Sequence, residues 1–233
     1  MKIYVLVEGI STEMTVYPKW FERLLPIKNI YTTSEDFEQF KNSDAGIFFV
    51  SGNGYPSIID HIDGAIQNAS MSNVDYLIII IDSDEESPVS REHSVRQEID
   101  QRVIPDRLHV IVIVQNRCFE TFLLANRRAI PRVPREKLLV DFKRYYDVNA
   151  DDPELMGNYS EDYTHSQFHF KYASTALREN RIMYSKSNSS GVATQPFLDE
   201  IIIRAQQSSH VNSFSNLLNC INQIRTKMKV AVI

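Results

Sequence analysis

The stretch that most constrains this sequence is Tyr76–Ile81, six consecutive apolar residues that lead directly into Asp82. A continuous apolar run is typical of a strand buried on both faces, as in the centre of a parallel sheet covered by helices. Parallel strands need crossover connections, which are usually helical. The run therefore predicts an α/β fold.

Further strands alternate with helical patterns along residues 1–126. Strands are predicted at Ile3–Val7, Gly46–Val50 and Leu108–Val114, in addition to the central run. The first helix is expected to begin after Ser11 as N-cap and to end at Pro26, and later helices follow each of the other strands. Residues 28–44 are predicted to be a connection with a short helix. The alternation predicts a Rossmann-like parallel sheet flanked by helices.

Beyond Pro131 the pattern becomes helical. Helices are predicted at 135–146, 167–184, 196–207 and 211–228, with a polar loop over 185–191 and no strand. We therefore expect an α/β domain over residues 1–130 and a mainly helical region over residues 131–233 that packs on it.

Composition sets broad limits on the class of protein. The chain has 233 residues, of which 43% are hydrophobic and 24% charged, which is typical of a globular protein. No apolar run approaches the roughly 20 residues of a membrane span, and the N-terminal run is too short for a signal peptide, so a cytoplasmic location without membrane contact is expected. Cys118 and Cys220 lie far apart and are expected to be buried free thiols.

Charge is unevenly distributed although the net charge is −5. Acidic residues dominate residues 1–126, whereas basic residues dominate 127–144. An acidic overall balance disfavours non-specific coating of nucleic acid, but a local basic strip is compatible with a phosphate-backbone substrate. A solvated helix face explains the strip equally well.

Carboxylates follow two of the predicted strands. Glu8 follows the first strand, and Asp82 and Asp84 follow the central one. The carboxyl ends of parallel strands meet at one edge, and in an extended backbone Asp82 and Asp84 would point the same way. Clustered carboxylates usually hold a hard cation such as Mg²⁺. The simpler alternative is that these strand ends are polar because water solvates them.

Other candidate residues fall at the same edge. Gly52 and Gly54 form a turn before a helix, which could cradle a phosphate group but matches no known phosphate-binding spacing, so a plain tight turn is an alternative. Arg117 and Glu120 follow the last strand.

The order of these motifs resembles the Toprim domain of topoisomerases, primases, OLD-type nucleases and small RNA-maturing nucleases. The resemblance rests on Glu8-Gly9 after the first strand and Asp82-Ser83-Asp84 after a later one, and it covers roughly residues 1–126. Val7–Glu13 is also similar to the VEGxxTE form of stand-alone Toprim proteins in phage-defence systems, which implies a role for Glu13. The segment around Glu120 is similar to a fourth acidic motif of those proteins.

The resemblance implies a metal-dependent nuclease acting on DNA or RNA. Glu8, Asp82 and Asp84 would be catalytic and would bind Mg²⁺ or Mn²⁺, and Glu13 and Glu120 would complete the metal site. Basic residues would neutralise substrate phosphates, and the candidates are Arg117, Arg127, Arg128 and Lys186. Expected partners are the nucleic acid, a partner ATPase of an antiviral defence system, and a second copy of the chain.

Three alternatives compete with a nuclease. A Toprim-fold module without activity could bind nucleic acid or the partner ATPase. A receiver domain could accept a phosphoryl group at Asp82. His165 and His169 have a spacing that could bind zinc, but the glutamate of zinc proteases is missing between them.

Overall fold

The computed structural model describes residues 1–233, and a parallel sheet of five strands lies at its centre in the order β2-β3-β1-β4-β5. The strands are β1 (Lys2–Val7), β2 (Ile30–Tyr31), β3 (Gly46–Ser51), β4 (Tyr76–Asp82) and β5 (His109–Gln115). Every paired strand runs parallel to its neighbour. The α/β class predicted from the apolar runs is confirmed, and the architecture is Rossmann-like.

Helices cover both faces of this sheet. They are α1 (Thr12–Leu24), α2 (Phe37–Asn42), α3 (Ser57–Met71), α4 (Pro88–Asp100), α5 (Phe119–Leu124), α6 (Lys137–Tyr145), α7 (His165–Glu179), α8 (Gln195–Gln207) and α9 (Asn212–Lys227). None of them combines the length and apolar composition that a membrane crossing requires.

The alternation of side chains along each strand creates two separate apolar clusters. In β1, Ile3, Val5 and Val7 belong to one cluster, whereas Tyr4 and Leu6 belong to the other. Helices α1 and α5 to α9 complete the first cluster, and α2 to α4 complete the second. Because successive side chains of a strand point to opposite faces, both faces need apolar residues, which explains the unbroken run in β4.

The C-terminal helices pack on the same face of the sheet as α1. Phe142, Phe168 and Phe214 belong to the same apolar cluster as the odd-numbered β1 side chains. The indole nitrogen of Trp20 in α1 also donates a hydrogen bond to the Val192 carbonyl oxygen, at 3.2 Å. The division near residue 130 stays a prediction, and the residues on its two sides share one core.

Details differ from the sequence predictions at element ends. Strand β2 was not predicted, because two residues are too short to show a periodic pattern. Helix α7 ends at Glu179 rather than 184. Ser11 is the N-cap residue of α1, as predicted, but its side chain makes no capping hydrogen bond.

Candidate functional site

Strand register brings the predicted carboxylates together at one edge of the sheet. Val7 pairs with Ile80 between β1 and β4, so Glu8 follows β1 at the level of Ile81, one residue before Asp82. The Asp82 amide donates a hydrogen bond to Oε2 of Glu8 at 3.0 Å. The two strands are neighbours in the sheet.

Helix α1 brings a second glutamate into this group. Glu13 lies in the first turn of α1 and is 3% exposed. Its Oε2 accepts a hydrogen bond from the Gly9 amide. A Cβ atom on Gly9 would lie 2.5 Å from that same oxygen, so a side chain at position 9 would require the Glu13 carboxylate to move. The Glu-Gly pair therefore has a packing role as well as a role in the turn.

Gln115 connects Glu13 to Asp82, and the sequence motifs did not point to it. It ends β5 opposite Asp82 and is fully buried. Its Nε2 donates to Oε1 of Glu13 at 2.8 Å and to Oδ1 of Asp82 at 2.6 Å. Its Oε1 accepts from the Tyr17 hydroxyl. The sequence does contain a signal for this residue, because Gln115 directly follows the apolar run of β5 just as Asp82 follows the apolar run of β4.

Burial and mutual repulsion shift the acid–base behaviour of these carboxylates. Burial raises the pKa of Glu13 to about 8, and the charges of Glu8 and Glu120 add to the shift. Burial also raises the pKa of Asp82 well above its ordinary value, with repulsion from Glu13 and Glu8. The pKa of Glu8 is raised, again chiefly by burial. The surroundings therefore favour the protonated, neutral form of these carboxyl groups unless a cation compensates their charge.

Glu120 faces the same space from the first turn of α5. Its Oε1 accepts a hydrogen bond from the hydroxyl of Tyr184, at 2.5 Å. A cavity of about 340 Å³, which we call the carboxylate cavity, lies in front of these groups. Its charged lining consists of Glu13, Asp82, Glu120 and Lys186. Lys186 is the one basic side chain there, and its Nζ also lies 5.2 Å from the centre of the Phe170 ring.

Asp84 differs from the sequence expectation. Its φ is 49°, in the left-handed region, so the backbone is not extended and the prediction that Asp82 and Asp84 point the same way on that ground is wrong. Its Oδ1 accepts a hydrogen bond from Ser166 of α7 at 2.7 Å. Its charge nevertheless contributes to the raised pKa of Glu8, so the two carboxylates lie in the same electrostatic neighbourhood.

Arg117 fixes the loop that carries Asp84. Its amide donates to the Ser83 hydroxyl at 2.8 Å, and its Nη1 donates to the Asp84 carbonyl oxygen at 3.0 Å. Its own φ is 69°, and such non-glycine strain persists only where surrounding contacts impose it. In this structure the guanidinium therefore holds the loop after β4.

The glycine turn is a tight turn packed on the neighbouring strand. The Gly52 amide donates to the Val7 carbonyl oxygen at 2.7 Å, and the Gly54 amide donates to the Glu8 carbonyl oxygen at 2.8 Å. These two amides are therefore occupied, which counts against the phosphate cradle. Gly52 leaves no room for a side chain, because an added Cβ would lie 2.7 Å from the Cα of Ile58.

Arg127 and Arg128 lie away from the carboxylates. They line a different cavity, which shares no residue with the carboxylate cavity. They are therefore not part of the carboxylate cavity, and their assignment as substrate-binding residues stays a prediction. Glu120 lies at the start of α5, whereas Arg127 lies beyond its end. Closeness in sequence therefore does not bring these two residues to one site.

Arg91 is a further basic residue that the sequence did not reveal. It is 3% exposed, and its guanidinium carbon lies 3.7 Å from the centre of the Tyr55 ring. Its Nη2 lies 3.5 Å from Glu86, while its Nε and Nη1 have no hydrogen-bond partner. Its positive charge opposes the upward shift of the Glu8 pKa. Arg91 thus carries buried donors close to the carboxylates.

His165 and His169, whose spacing could bind zinc, have different neighbours in the structure. His165 Nδ1 lies 2.6 Å from Oε2 of Glu85. His169 is fully buried, with Nδ1 2.8 Å from the Thr121 hydroxyl and Nε2 facing the Met156 carbonyl oxygen. Both ring nitrogens of His169 are therefore occupied by neighbours within the core.

The donor chemistry of the site suits a hard divalent cation. No three acidic, histidine or cysteine side chains are arranged as a ligand set for a metal ion. However, Glu8, Glu13, Asp82 and Glu120 form no ion pair with any basic side chain. Carboxylate oxygens are the ligands that Mg²⁺ prefers, and a cation would offset the charge of buried carboxylates that have only neutral donors.

Comparison of the chain with protein-family models, with curated proteins and with solved structures returns no match.

Proposed function

We propose that this protein is a Toprim-like nuclease that hydrolyses phosphodiester bonds of DNA or RNA with Mg²⁺ or Mn²⁺. The observation that carries the proposal is the set of buried carboxylates Glu8, Glu13 and Asp82, whose pKa values are raised together at the carboxyl edge of a parallel sheet. Strongly shifted carboxylates beside a cavity are characteristic of functional sites.

The metal would be held by Glu8, Glu13 and Asp82 together with Glu120, and Asp84 lies at their border. A bound divalent ion polarises a phosphoryl oxygen and lowers the pKa of a coordinated water. The resemblance of Glu8-Gly9 and Asp82-Ser83-Asp84 to Toprim motifs supports the same assignment.

Residues around the carboxylates would position them and the substrate. Gln115 holds Glu13 and Asp82 through one amide group, and the Tyr17 hydroxyl fixes that amide in turn. Lys186 at the cavity wall would neutralise phosphate charge, and the buried Arg91 contributes positive charge near Glu8. These basic groups flank the carboxylates without forming ion pairs with them.

A second candidate is a non-catalytic module that binds nucleic acid or a partner ATPase. The observation that favours it is the hydrogen bond from Ser166 to Asp84, which engages one predicted ligand, together with the lack of a ready metal ligand set. A binding module needs the fold and its surface but not an open metal site.

Cleavage assays separate the two candidates. The purified protein is incubated with tRNA, single-stranded DNA and duplex DNA, with Mg²⁺, Mn²⁺ or EDTA. We expect metal-dependent cleavage of at least one substrate, and a loss of about 100-fold or more in Glu8→Gln and Asp82→Asn, because even residues that only support metal ligands cost 10- to 100-fold.

The control is Asp100→Asn, which changes an exposed carboxylate without hydrogen-bond or ion-pair partners and should cleave normally. Binding of Mn²⁺ measured by calorimetry gives a readout independent of turnover, and it should weaken in Glu8→Gln and Asp82→Asn. Cleavage that persists in excess EDTA would refute the metal mechanism. Unaltered Mn²⁺ binding in both variants would favour the non-catalytic module.

A further inference from the structure

A second cavity, rich in arginine, lies on the helical side of the molecule. Its volume is about 500 Å³, within the usual range of small-molecule sites. It is formed by the segment after α5, the end of α7 and the last turns of α8. Its charged lining consists of Arg127, Arg128, Arg132, Arg204 and Glu200, and we call it the arginine cavity.

The arginine side chains of the arginine cavity outnumber its acidic side chains. Arg128 lies 3.0 Å from Glu200, which is the one acidic side chain of the lining. Arg127 and Arg132 are exposed and form no ion pair or side-chain hydrogen bond. Three of the four guanidinium groups therefore have no carboxylate partner.

Arg204 supplies a fixed charge at the base of this cavity. It is 2% exposed, and its Nη1 and Nη2 donate to the carbonyl oxygens of Val148 and Asp151 at 2.8 and 2.7 Å. Its Nε has no partner. Burial, together with repulsion from Arg127, lowers its pKa to about 10, so it remains charged at neutral pH. Main-chain carbonyls hold this cation in place, and no carboxylate forms an ion pair with it, although the charges of Asp152 and Asp147 oppose the lowering of its pKa.

The lining chemistry indicates which ligand would fit. Guanidinium groups recognise phosphate oxygens through paired, charge-assisted hydrogen bonds. The remaining polar side chains, Asn180 and Gln207, can also donate, and no aromatic side chain is present to stack on a nucleobase. Recognition would therefore be directed at phosphate rather than at a base.

We propose that the arginine cavity binds a phosphate group, supplied by a phosphorylated small molecule or by the backbone of a nucleic acid, at a site separate from the carboxylate cavity. The two cavities have no lining residue in common. This assignment does not depend on nuclease activity, because it rests on the guanidinium groups alone.

Calorimetry on the full-length protein in EDTA tests the proposal without contribution from a metal. One titrant is pyrophosphate, and the other is a short duplex DNA. The test variant is Arg127→Ala/Arg132→Ala, which leaves the buried Arg204 intact. The matched control is Lys28→Ala/Lys229→Ala, which removes the same charge from exposed lysines outside the cavity.

We expect at least one titrant to bind the wild-type protein. Its affinity should fall about 10-fold or more in the arginine variant, since each charge-assisted hydrogen bond contributes about 1.5 kcal/mol or more. In the control variant the affinity should fall less than about 2-fold. Binding of pyrophosphate would identify a small phosphorylated ligand, and binding of DNA alone would identify the nucleic-acid backbone. Equal losses in the two variants, or no binding of either titrant, would overturn the proposal. Circular dichroism verifies that both variants are folded.

Discussion

His169 makes the stability of this protein sensitive to mild acid. The side chain links α7 to α5, since it bonds Thr121 next to Glu120 and faces the Met156 carbonyl oxygen. Burial lowers its pKa from 6.5 to about 4. Burial disfavours the charged imidazolium because this core gives it no ion-pair partner.

The sign and size of the effect follow from linkage. The unfolded chain takes up a proton at this histidine below about pH 6.5, whereas the folded protein does so only below about pH 4. The contribution of His169 to the free energy of unfolding is therefore fully present above pH 6.5 and is lost as the pH falls toward 4. At 1.36 kcal/mol per pKa unit the total loss is roughly 3 kcal/mol, and about 2 kcal/mol of it occurs between pH 7 and pH 5.

Urea unfolding at pH 7 and pH 5 measures this contribution. The wild-type protein is compared with His169→Gln, which cannot titrate, and with His93→Gln, which alters an exposed histidine. We expect His169→Gln to lose about 2 kcal/mol less stability between the two pH values than the wild-type protein and His93→Gln do. An equal loss in all three proteins would refute the assignment of a neutral, buried His169.

Two further predictions concern the packing of the site. Gly52→Ala should destabilise the protein by about 1–3 kcal/mol because the new methyl group meets the backbone of Ile58. Gly64→Ala should instead stabilise the protein by about 0.5–1 kcal/mol, because Gly64 lies in α3 with open space where a Cβ atom would lie and alanine favours a helix more than glycine does. Chemical denaturation measures both, and similar effects of the two changes would contradict the packing argument. Gln115→Leu removes the donor shared by two buried carboxylates and should cost about 1–3 kcal/mol in EDTA, more than Tyr17→Phe, which removes only the hydroxyl bonded to that amide. A smaller loss of stability in Gln115→Leu than in Tyr17→Phe would show that the Gln115 amide is not the main link between Glu13 and Asp82.

Local patterns were sufficient to predict the sheet and two of its carboxylates. The unbroken run ending at Asp82 and the shorter run ending at Glu8 each carry their own strand signal, and parallel strands necessarily place their carboxyl ends at one edge. The helical nature of residues 131–233 also follows from periodicity. The residues of the short strand β2 gave no such signal.

The partners of individual side chains could not be predicted in the same way. Asp84 was expected to extend the strand, but its left-handed backbone and its bond to Ser166 depend on a helix that lies 82 residues further along the chain. Arg127 and Arg128 directly follow the acidic part of the sequence, but they line a cavity separate from the carboxylates.

The sequence by itself determined that this protein has a parallel α/β sheet with Glu8 and Asp82 at its carboxyl edge, because hydrophobic periodicity and strand polarity are local properties of the chain. Only the tertiary structure decided that Gln115 joins Glu13 to Asp82 and that Arg91 is buried with unpartnered donors. The physical reason is that these contacts join residues far apart in the sequence. Their hydrogen-bond partners and dielectric surroundings exist only after the strands are in register and the helices have docked.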